Sequence, residues 1–160
     1  MADTRGRPAR SDNRPMTRQD ILSFVRQYRW AVVATTSRTG QPQAAVVGFA
    51  VSDSFELIFD TLDASRKIAN LRHDNRIAAV IGWDDAQTVQ IDGIADEPKG
   101  SELERLQEIY FARFPDGLDR RGWKGISYVR VRPAWVRYSD FRIDPPGIIE
   151  LPSGDPDEIR

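Results

Sequence analysis

The stretch that decides the fold is FELIFDTLDASRKIANLRHDNRIAAVIGW, residues 55–83. It opens with alternating apolar residues up to Phe59, and this alternation predicts a strand. Residues 63–72 follow with Ile68 and Leu71 at helical spacing, which predicts a short helix. The run RIAAVIGW is short and rich in apolar and β-branched residues, so it predicts another strand. The stretch is therefore interpreted as strand, helix and strand.

The segments on either side are mostly short strands joined by tight turns. The other predicted strands are WAVVATTS (30–37), PQAAVVGFAV (42–51), TVQIDGIAD (88–96) and ISYVRVRPAWVRYS (126–139). One helix is predicted from Thr17, which stands in a capping-box-like spacing with Asp20, and another from Pro98. Six antiparallel strands avoid exposed edges by closing into a barrel. The helices are too few for a doubly wound parallel sheet.

The ends of the chain differ in composition from its middle. Residues 17–143 are interpreted as one domain, and the hydrophobic fraction of 40% is enough for a core. Residues 1–16 are rich in Arg and Pro, which predicts a flexible arm. Residues 144–160 are rich in Pro, Gly and acidic residues, which predicts an extended tail.

Composition narrows the possible functions. The chain has no cysteine, which excludes disulfides, thiolate nucleophiles and cysteine-ligated zinc. A net charge of −1 gives no general attraction to nucleic acid or to an anionic membrane. No apolar run is long enough to span a bilayer, and the N-terminus lacks the apolar segment of a signal peptide, so a cytoplasmic protein is expected. The only histidine, His73, is interpreted as a solvated residue at a helix end, and no metal site is predicted.

The helix within the central stretch starts with an unusual charge pattern. Ser65, Arg66 and Lys67 lie in its first turn, where the helix dipole favours negative charge. Two cations and a hydroxyl beside free backbone N–H groups form a phosphate site if an anion binds there. The residues alone leave open the alternative that both cations simply face water.

The segment DASRKIANLRHDNRIAAVIGW, preceded by GQPQAAVVGFAVSDSFELIFDT, resembles the FMN-binding split-barrel proteins related to pyridoxamine 5'-phosphate oxidase. The resemblance is carried by Phe59 and Thr61 at a strand end, by SRK at 65–67, and by DNRIAAV at 74–80. It extends over residues 17–138. It implies a mainly β fold, a six-stranded antiparallel split β-barrel with flanking helices, and FMN as the cofactor.

The same resemblance implies which residues contact the cofactor. It implies that Arg66 and Lys67 contact the phosphate, with help from Ser65 and Thr61. It implies main-chain contacts to the flavin ring from Ala45, Val46 and Val47. Further contacts are implied from Thr88, Gln90 or Gln87, and from Trp135. It also implies a homodimer with the flavin between the subunits. The continuous apolar run at 44–51 agrees with this, because it needs cover on both faces.

The sequence departs from the oxidases that act on vitamin B6. Those enzymes carry R-x-V-L-L-K on the second strand and an Arg-x-His pair near the C-terminus, whereas this chain has AAVVGF and WVRYSDFRI. That activity is therefore not predicted. The expected function is an FMN-dependent oxidoreductase acting on a small molecule, with no catalytic side chain assigned. A non-catalytic flavin- or heme-binding module and a deazaflavin-dependent reductase stay open as alternatives.

Overall fold

The structure is a computed structural model, and it describes residues 16–151. The strands are β1 (Trp30–Thr36), β2 (Pro42–Val51), β3 (Leu57–Leu62), β4 (Arg76–Ile81), β5 (Gln87–Asp96), β6 (Ile126–Asp140) and β7 (Gly147–Leu151). The helices are α1 (Arg18–Val25), α2 (Arg66–His73), α3 (Gly100–Arg113) and α4 (Gly117–Arg120). Residues 1–15 of the predicted arm and residues 152–160 of the predicted tail lie outside the described residues. No helix in residues 16–151 is both long enough and apolar enough to cross a membrane.

The strands form one antiparallel sheet in the order β3-β2-β1-β4-β5-β6-β7. β3 also pairs with β6, from Leu57↔Val131 to Leu62↔Ile126, and this pairing closes six strands into a barrel. The predicted six-stranded antiparallel split barrel with flanking helices is confirmed. Closure covers the edge of β3 and the edge of the first part of β6, residues 126–131.

The seventh strand lies in the segment predicted to be a tail. β7 pairs with the end of β6, from Val136↔Leu151 to Asp140↔Gly147. The sheet therefore continues past residue 143, where the sequence analysis placed the end of the domain. Ile149 and Leu151 pack against the barrel core, and this burial holds the strand on β6.

The barrel is split because β2 is much longer than its pairing with β3. β2 pairs with β1 from Thr36↔Pro42 to Trp30↔Gly48. It pairs with β3 only at residues 49–51. On the side away from β1, the main chain of residues 42–48 therefore faces no strand within the described part of the chain.

Apolar residues pack on both sides of the barrel wall. The interior is filled by alternate strand residues such as Val33, Phe59 and Ile91, together with the buried faces of α1 and α2. A second cluster lies outside, where α3 covers Ile58 through residues such as Tyr110. Full burial of a large apolar side chain contributes about 1.5–3 kcal/mol, so these clusters fix both helices and strands.

The start of α1 agrees with the prediction from the sequence, and the start of α3 differs from it. The capping box of α1 is present, since Asp20 N–H donates to Thr17 Oγ1 at 3.2 Å and Thr17 N–H donates to the Asp20 carboxylate at 2.8 Å. α3 begins at Gly100, so Pro98 precedes the helix instead of lying in its first turn. The N-cap position is Lys99, which offers no side-chain cap.

Candidate anion-binding site

The turn between β3 and α2 brings hydroxyl groups and an ammonium group together. Ser65 is the N-cap of α2, and its Oγ accepts from Ile68 N–H at 3.4 Å. Lys67 Nζ donates to Thr61 Oγ1 at 3.1 Å, and the Thr61 hydroxyl donates to Ser65 Oγ at 3.3 Å. A main-chain bond from Ser65 N to Leu62 O at 2.9 Å closes the turn. The predicted residues Thr61, Ser65 and Lys67 therefore meet at the N-terminus of α2.

The two cations of this turn carry uncompensated charge. Within residues 16–151, neither Arg66 nor Lys67 forms an ion pair, and the first turn of α2 contains no acidic residue. Asp63, the closest carboxylate along the chain, pairs with Arg72 instead. The positive end of the helix dipole adds to the charge of both cations. This combination favours binding of an anion.

The arginines near the C-terminal end of α2, Arg72 and Arg76, are paired with carboxylates. Hydrogen bonds from Arg72 to Glu97 and to Asp63 raise the pKa of the Arg72 guanidinium. The side chain of Arg76 hydrogen-bonds Asp74 and lowers the pKa of that carboxyl to about 2. Their charges are thus satisfied locally, and the free positive charge of α2 is concentrated at its start.

The turn forms one wall of a cleft of about 270 Å³, and β1 and β2 form the other wall. The lining residues are Val33, Thr35, Gln43, Ala44, Ala45, Arg66 and Lys67. The small side chains on β2 leave its main chain accessible to a ligand. The structure therefore brings the predicted cations and the predicted ligand-binding strand to one cleft.

The main-chain groups of β2 alternate in direction along the strand, as in every antiparallel pair. Phe49 N–H donates toward β1, to the carbonyl just before that strand, at 3.1 Å. Ala45 and Val47 share this direction, so their main-chain groups are used in pairing with β1. Ala44 and Val46 direct theirs to the open side, where β3 does not pair. The main-chain contacts expected from Ala45, Val46 and Val47 therefore stay a prediction, which the strand pairing favours for Val46 and not for Ala45 or Val47.

The remaining predicted contact residues do not reach this cleft within one chain. Gln87 is buried and donates to the Tyr138 hydroxyl, so its amide is part of the core. Gln90 lies opposite Val80 and Arg137 on the outer face of the sheet, and Thr88 is two residues away on the same face. Trp135 lies opposite Asp92, also outside the barrel. The alternation of β5 and β6 places these side chains away from Arg66 and Lys67.

Sequence reasoning missed a polar cluster directly behind the cleft. Asn70 Nδ2 donates to Thr35 Oγ1 at 2.9 Å and to Gln43 Oε1 at 3.0 Å. Asn70 and Thr35 are only 6% and 5% exposed. A signal was present in the sequence, because Asn70 interrupts the apolar face that Ile68 and Leu71 define on α2.

Acidic, histidine and cysteine side chains in the described residues form no group of three or more that could hold a metal ion. The candidate site is thus defined by cations, hydroxyls and main-chain groups. The fold and this site together define a class of protein. Its members are split-barrel proteins with a cationic cleft beside the part of β2 that does not pair with β3.

The family model described as pyridoxamine 5'-phosphate oxidase matches residues 17–140. The chain belongs to this family. A comparison with curated proteins finds no match.

Solved structures with the same fold include proteins that bind different cofactors. A heme-binding protein from Mycobacterium smegmatis is 18% identical with a TM-score of 0.70, and the match covers 82% of this chain and 55% of that one. This chain thus spans about half the length of that protein. A conserved hypothetical protein from Mycobacterium tuberculosis is 25% identical with a TM-score of 0.68, over 79% of this chain and 86% of that one. A pyridoxamine 5'-phosphate oxidase-related FMN-binding protein from Nostoc punctiforme is 15% identical with a TM-score of 0.62, over 79% of this chain and 82% of that one.

Proposed function

We propose that the protein is a flavoprotein that binds FMN in the cleft between β2 and α2. The observation that carries this proposal is the pair of cations at the start of α2, Arg66 and Lys67, which form no ion pair within residues 16–151. They would hold the FMN phosphate, with Ser65 and Thr61 contributing hydroxyl groups. Charge-assisted hydrogen bonds of this kind are the strong ones, and the helix dipole adds to them.

The open edge of β2 suits the remainder of the cofactor. A flavin ring carries carbonyl and N–H groups along one edge, and Ala44 and Val46 direct their main-chain N–H and C=O groups to the open side. The side chains that line the cleft on β2 include two alanines, which permit close approach of a flat ring.

The same cleft suits heme less well. Heme iron is usually held by His, Cys, Met or Tyr, and none of these lines the cleft. The only histidine of the chain, His73, is the last residue of α2, so it lies about 10 Å along the helix from the two cations. The donor set therefore favours FMN over heme.

The chemistry proposed for the protein follows from the cofactor. FMN, when bound, supplies hydride or single-electron transfer. The residues of this chain would bind the phosphate and orient the ring against β2. We propose an oxidoreductase acting on a small-molecule substrate, and a cytoplasmic location stays a prediction from the sequence.

A homodimer is part of the same proposal. The outer face of β2, β1 and β4 carries two apolar rows across the strands, Val46–Val32–Val80 and Ala44–Ala34–Ala78. Val46 is 62% exposed in one chain. A second copy related by two-fold symmetry would cover this face and bring the outward Thr88, Gln90 and Trp135 toward the cleft of its partner.

The first experiment is a visible spectrum of the purified protein, combined with thermal melting in FMN, riboflavin or heme. We expect a yellow protein whose melting temperature rises more with FMN than with riboflavin, because only FMN carries the phosphate. A heme spectrum in place of a flavin spectrum would overturn the choice of cofactor. A melting temperature that does not change with FMN but rises with a deazaflavin would also overturn the choice of cofactor.

The phosphate site has a direct mutational test. The double substitution Arg66→Ala/Lys67→Ala removes charge-assisted bonds of about 1.5–3 kcal/mol each. We expect FMN affinity to fall by at least about 100-fold in isothermal titration. The matched control is Arg26→Ala/Lys99→Ala, which removes the same charge from residues that do not line the cleft. Equal FMN affinity in both double variants would disprove the assignment.

A further inference from the structure

We propose that Gln43 is a specificity-determining residue of the cleft, positioned by Asn70, and that its side-chain N–H donates to an oxygen of the ligand's phosphate. This inference rests on the proposed function and adds a recognition group that none of the motifs above contains. It begins from the polar cluster behind the cleft.

The orientation of the Gln43 amide is set by its neighbour. Asn70 Nδ2 donates to Gln43 Oε1 at 3.0 Å, which fixes the oxygen end of the amide on the side of α2. The second N–H of Asn70 donates to Thr35 Oγ1 at 2.9 Å, so both donors of that amide are used. Within residues 16–151, the Gln43 Nε2 group has no hydrogen-bond acceptor. Since Gln43 lines the cleft, this donor is left for a ligand.

The burial of Asn70 argues that the arrangement is rigid. Asn70 is 6% exposed on a helix face that is otherwise apolar, where a leucine would fill the space without any need for hydrogen bonds. A buried amide in such a place is stable only when its polar atoms are satisfied. The contacts with Thr35 and Gln43 satisfy both N–H donors of Asn70, and they hold the Gln43 side chain in one orientation.

The position of Gln43 indicates phosphate as the acceptor. Gln43, Arg66 and Lys67 all line a cleft whose volume of about 270 Å³ is small for a ligand site. An anion held by the two cations therefore lies close to the amide. A phosphate oxygen is also a stronger acceptor than a neutral carbonyl or hydroxyl.

The test is the near-isosteric substitution Gln43→Glu, which keeps the bond from Asn70 but replaces the free donor with a carboxylate oxygen. FMN and riboflavin affinities are measured by quenching of flavin fluorescence. We expect FMN affinity to fall at least about tenfold, and the ratio of FMN to riboflavin affinity to fall with it. The control Gln41→Glu adds the same charge in the turn two residues away. We expect it to change neither the FMN affinity nor the ratio of FMN to riboflavin affinity. The melting temperature without ligand checks that each variant is folded.

A second variant tests the role of Asn70. Asn70→Leu removes the support of the Gln43 amide while keeping a well-packed helix face, and we expect FMN affinity to fall several-fold. The single variant Gln43→Met completes a double-mutant cycle with Asn70→Leu. In the double variant Gln43→Met/Asn70→Leu, the two losses of FMN affinity should not add, because both act through one hydrogen bond to the ligand.

The outcomes separate this inference from the proposed function. If Arg66→Ala/Lys67→Ala weakens FMN binding and Gln43→Glu does not, the role of Gln43 is wrong and the FMN site stands. Equal loss of FMN and riboflavin in Gln43→Glu also overturns phosphate recognition by this residue. If the unmodified protein does not bind FMN, both proposals are wrong.

Discussion

Ser65 shows how one residue serves both the structure and the proposed site. Its hydroxyl accepts from Ile68 N–H at 3.4 Å, which satisfies one of the free donors at the start of α2. The same hydroxyl bonds Thr61, the residue that Lys67 also contacts. Helix capping and the proposed anion binding therefore use the same hydroxyl group, and substitutions can separate the two roles.

At position 65 we predict opposite effects of two substitutions. Ser65→Ala removes the cap and should lower the free energy of unfolding by about 1 kcal/mol, measured by urea unfolding without ligand. Ser65→Asp keeps a good cap and suits the helix dipole, so unfolding should be unchanged or slightly harder. FMN affinity should nevertheless fall by about tenfold or more, because the carboxylate repels the phosphate. Unchanged FMN affinity in Ser65→Asp would mean that the phosphate binds elsewhere.

At the scale of elements, an ion cluster joins α3 to the barrel. Arg130 on β6 donates to Asp96 at the end of β5, to Glu56 just before β3 and to Glu102 on α3. The Arg130 side chain is only 12% exposed, and that of Glu56 is 13% exposed. A buried pair of this kind adds little net stability against an apolar pair, but losing one partner is costly.

We predict that Arg130→Met lowers the free energy of unfolding by about 3 kcal/mol at neutral pH, because it leaves carboxylates partly buried without a partner. Urea unfolding measures the change. The control is Arg132→Met on the same strand, whose single long contact to Asp96 at 3.8 Å is solvent-exposed. It should cost less than about 1 kcal/mol. Similar losses in both variants would show that Arg130 has no special role.

The same cluster predicts a pH dependence. Hydrogen bonds from Arg130 lower the pKa of Asp96 below its ordinary value. A lowered carboxyl pKa contributes stability that is complete above the unfolded-state pKa of about 3.9 and is lost as pH falls through the lower folded value. We expect the free energy of unfolding to decline less steeply below that pH in Arg130→Met than in the unmodified protein. Parallel curves for the two proteins would contradict this.

The apolar outer face of β2, β1 and β4 is a property of the whole molecule. One small barrel buries its interior but leaves Val46 and Ala44 exposed and Ala34 and Ala78 half-buried. Large exposed apolar surfaces usually mark interfaces. In a two-fold dimer each substitution occurs twice at the interface, which makes its effect large.

We predict that Val46→Glu separates the proposed dimer, because two carboxylates would be buried without partners. Sedimentation velocity should show a dissociation constant raised by at least about 100-fold. FMN affinity should fall as well, because Thr88, Gln90 and Trp135 of the second copy would no longer approach the cleft. The control Leu118→Glu changes a residue on α4 that is 53% exposed and should leave the assembly intact. A Val46→Glu protein that stays dimeric would disprove the interface.

The sequence predicts those features that depend on neighbouring residues. The first six strands and the capping box of Thr17 and Asp20 follow from local alternation and capping. A helix is expected over residues 63–72, whereas α2 begins at Arg66, because Ser65 is its N-cap instead of part of its first turn. Arg66 and Lys67 could be assigned to an anion site because their position at a helix start has a physical meaning of its own. The resemblance to the family then added the expectation of FMN as the cofactor.

Tertiary structure decided the features that depend on distant residues. The contact between Gln43 and Asn70 joins residues 27 positions apart, and no local pattern predicts it. β7 exists because β6 offers an edge and Ile149 finds the core, although its own segment is rich in Pro and Gly. The choice of Ala44 and Val46 over Ala45 and Val47 depends on which edge of β2 pairs with β1. By itself, therefore, the sequence determined the first six strands and the charges of the candidate site. The pairing of strands determined β7 and which main-chain groups face the cleft, because hydrogen-bond direction is set by the partner strand.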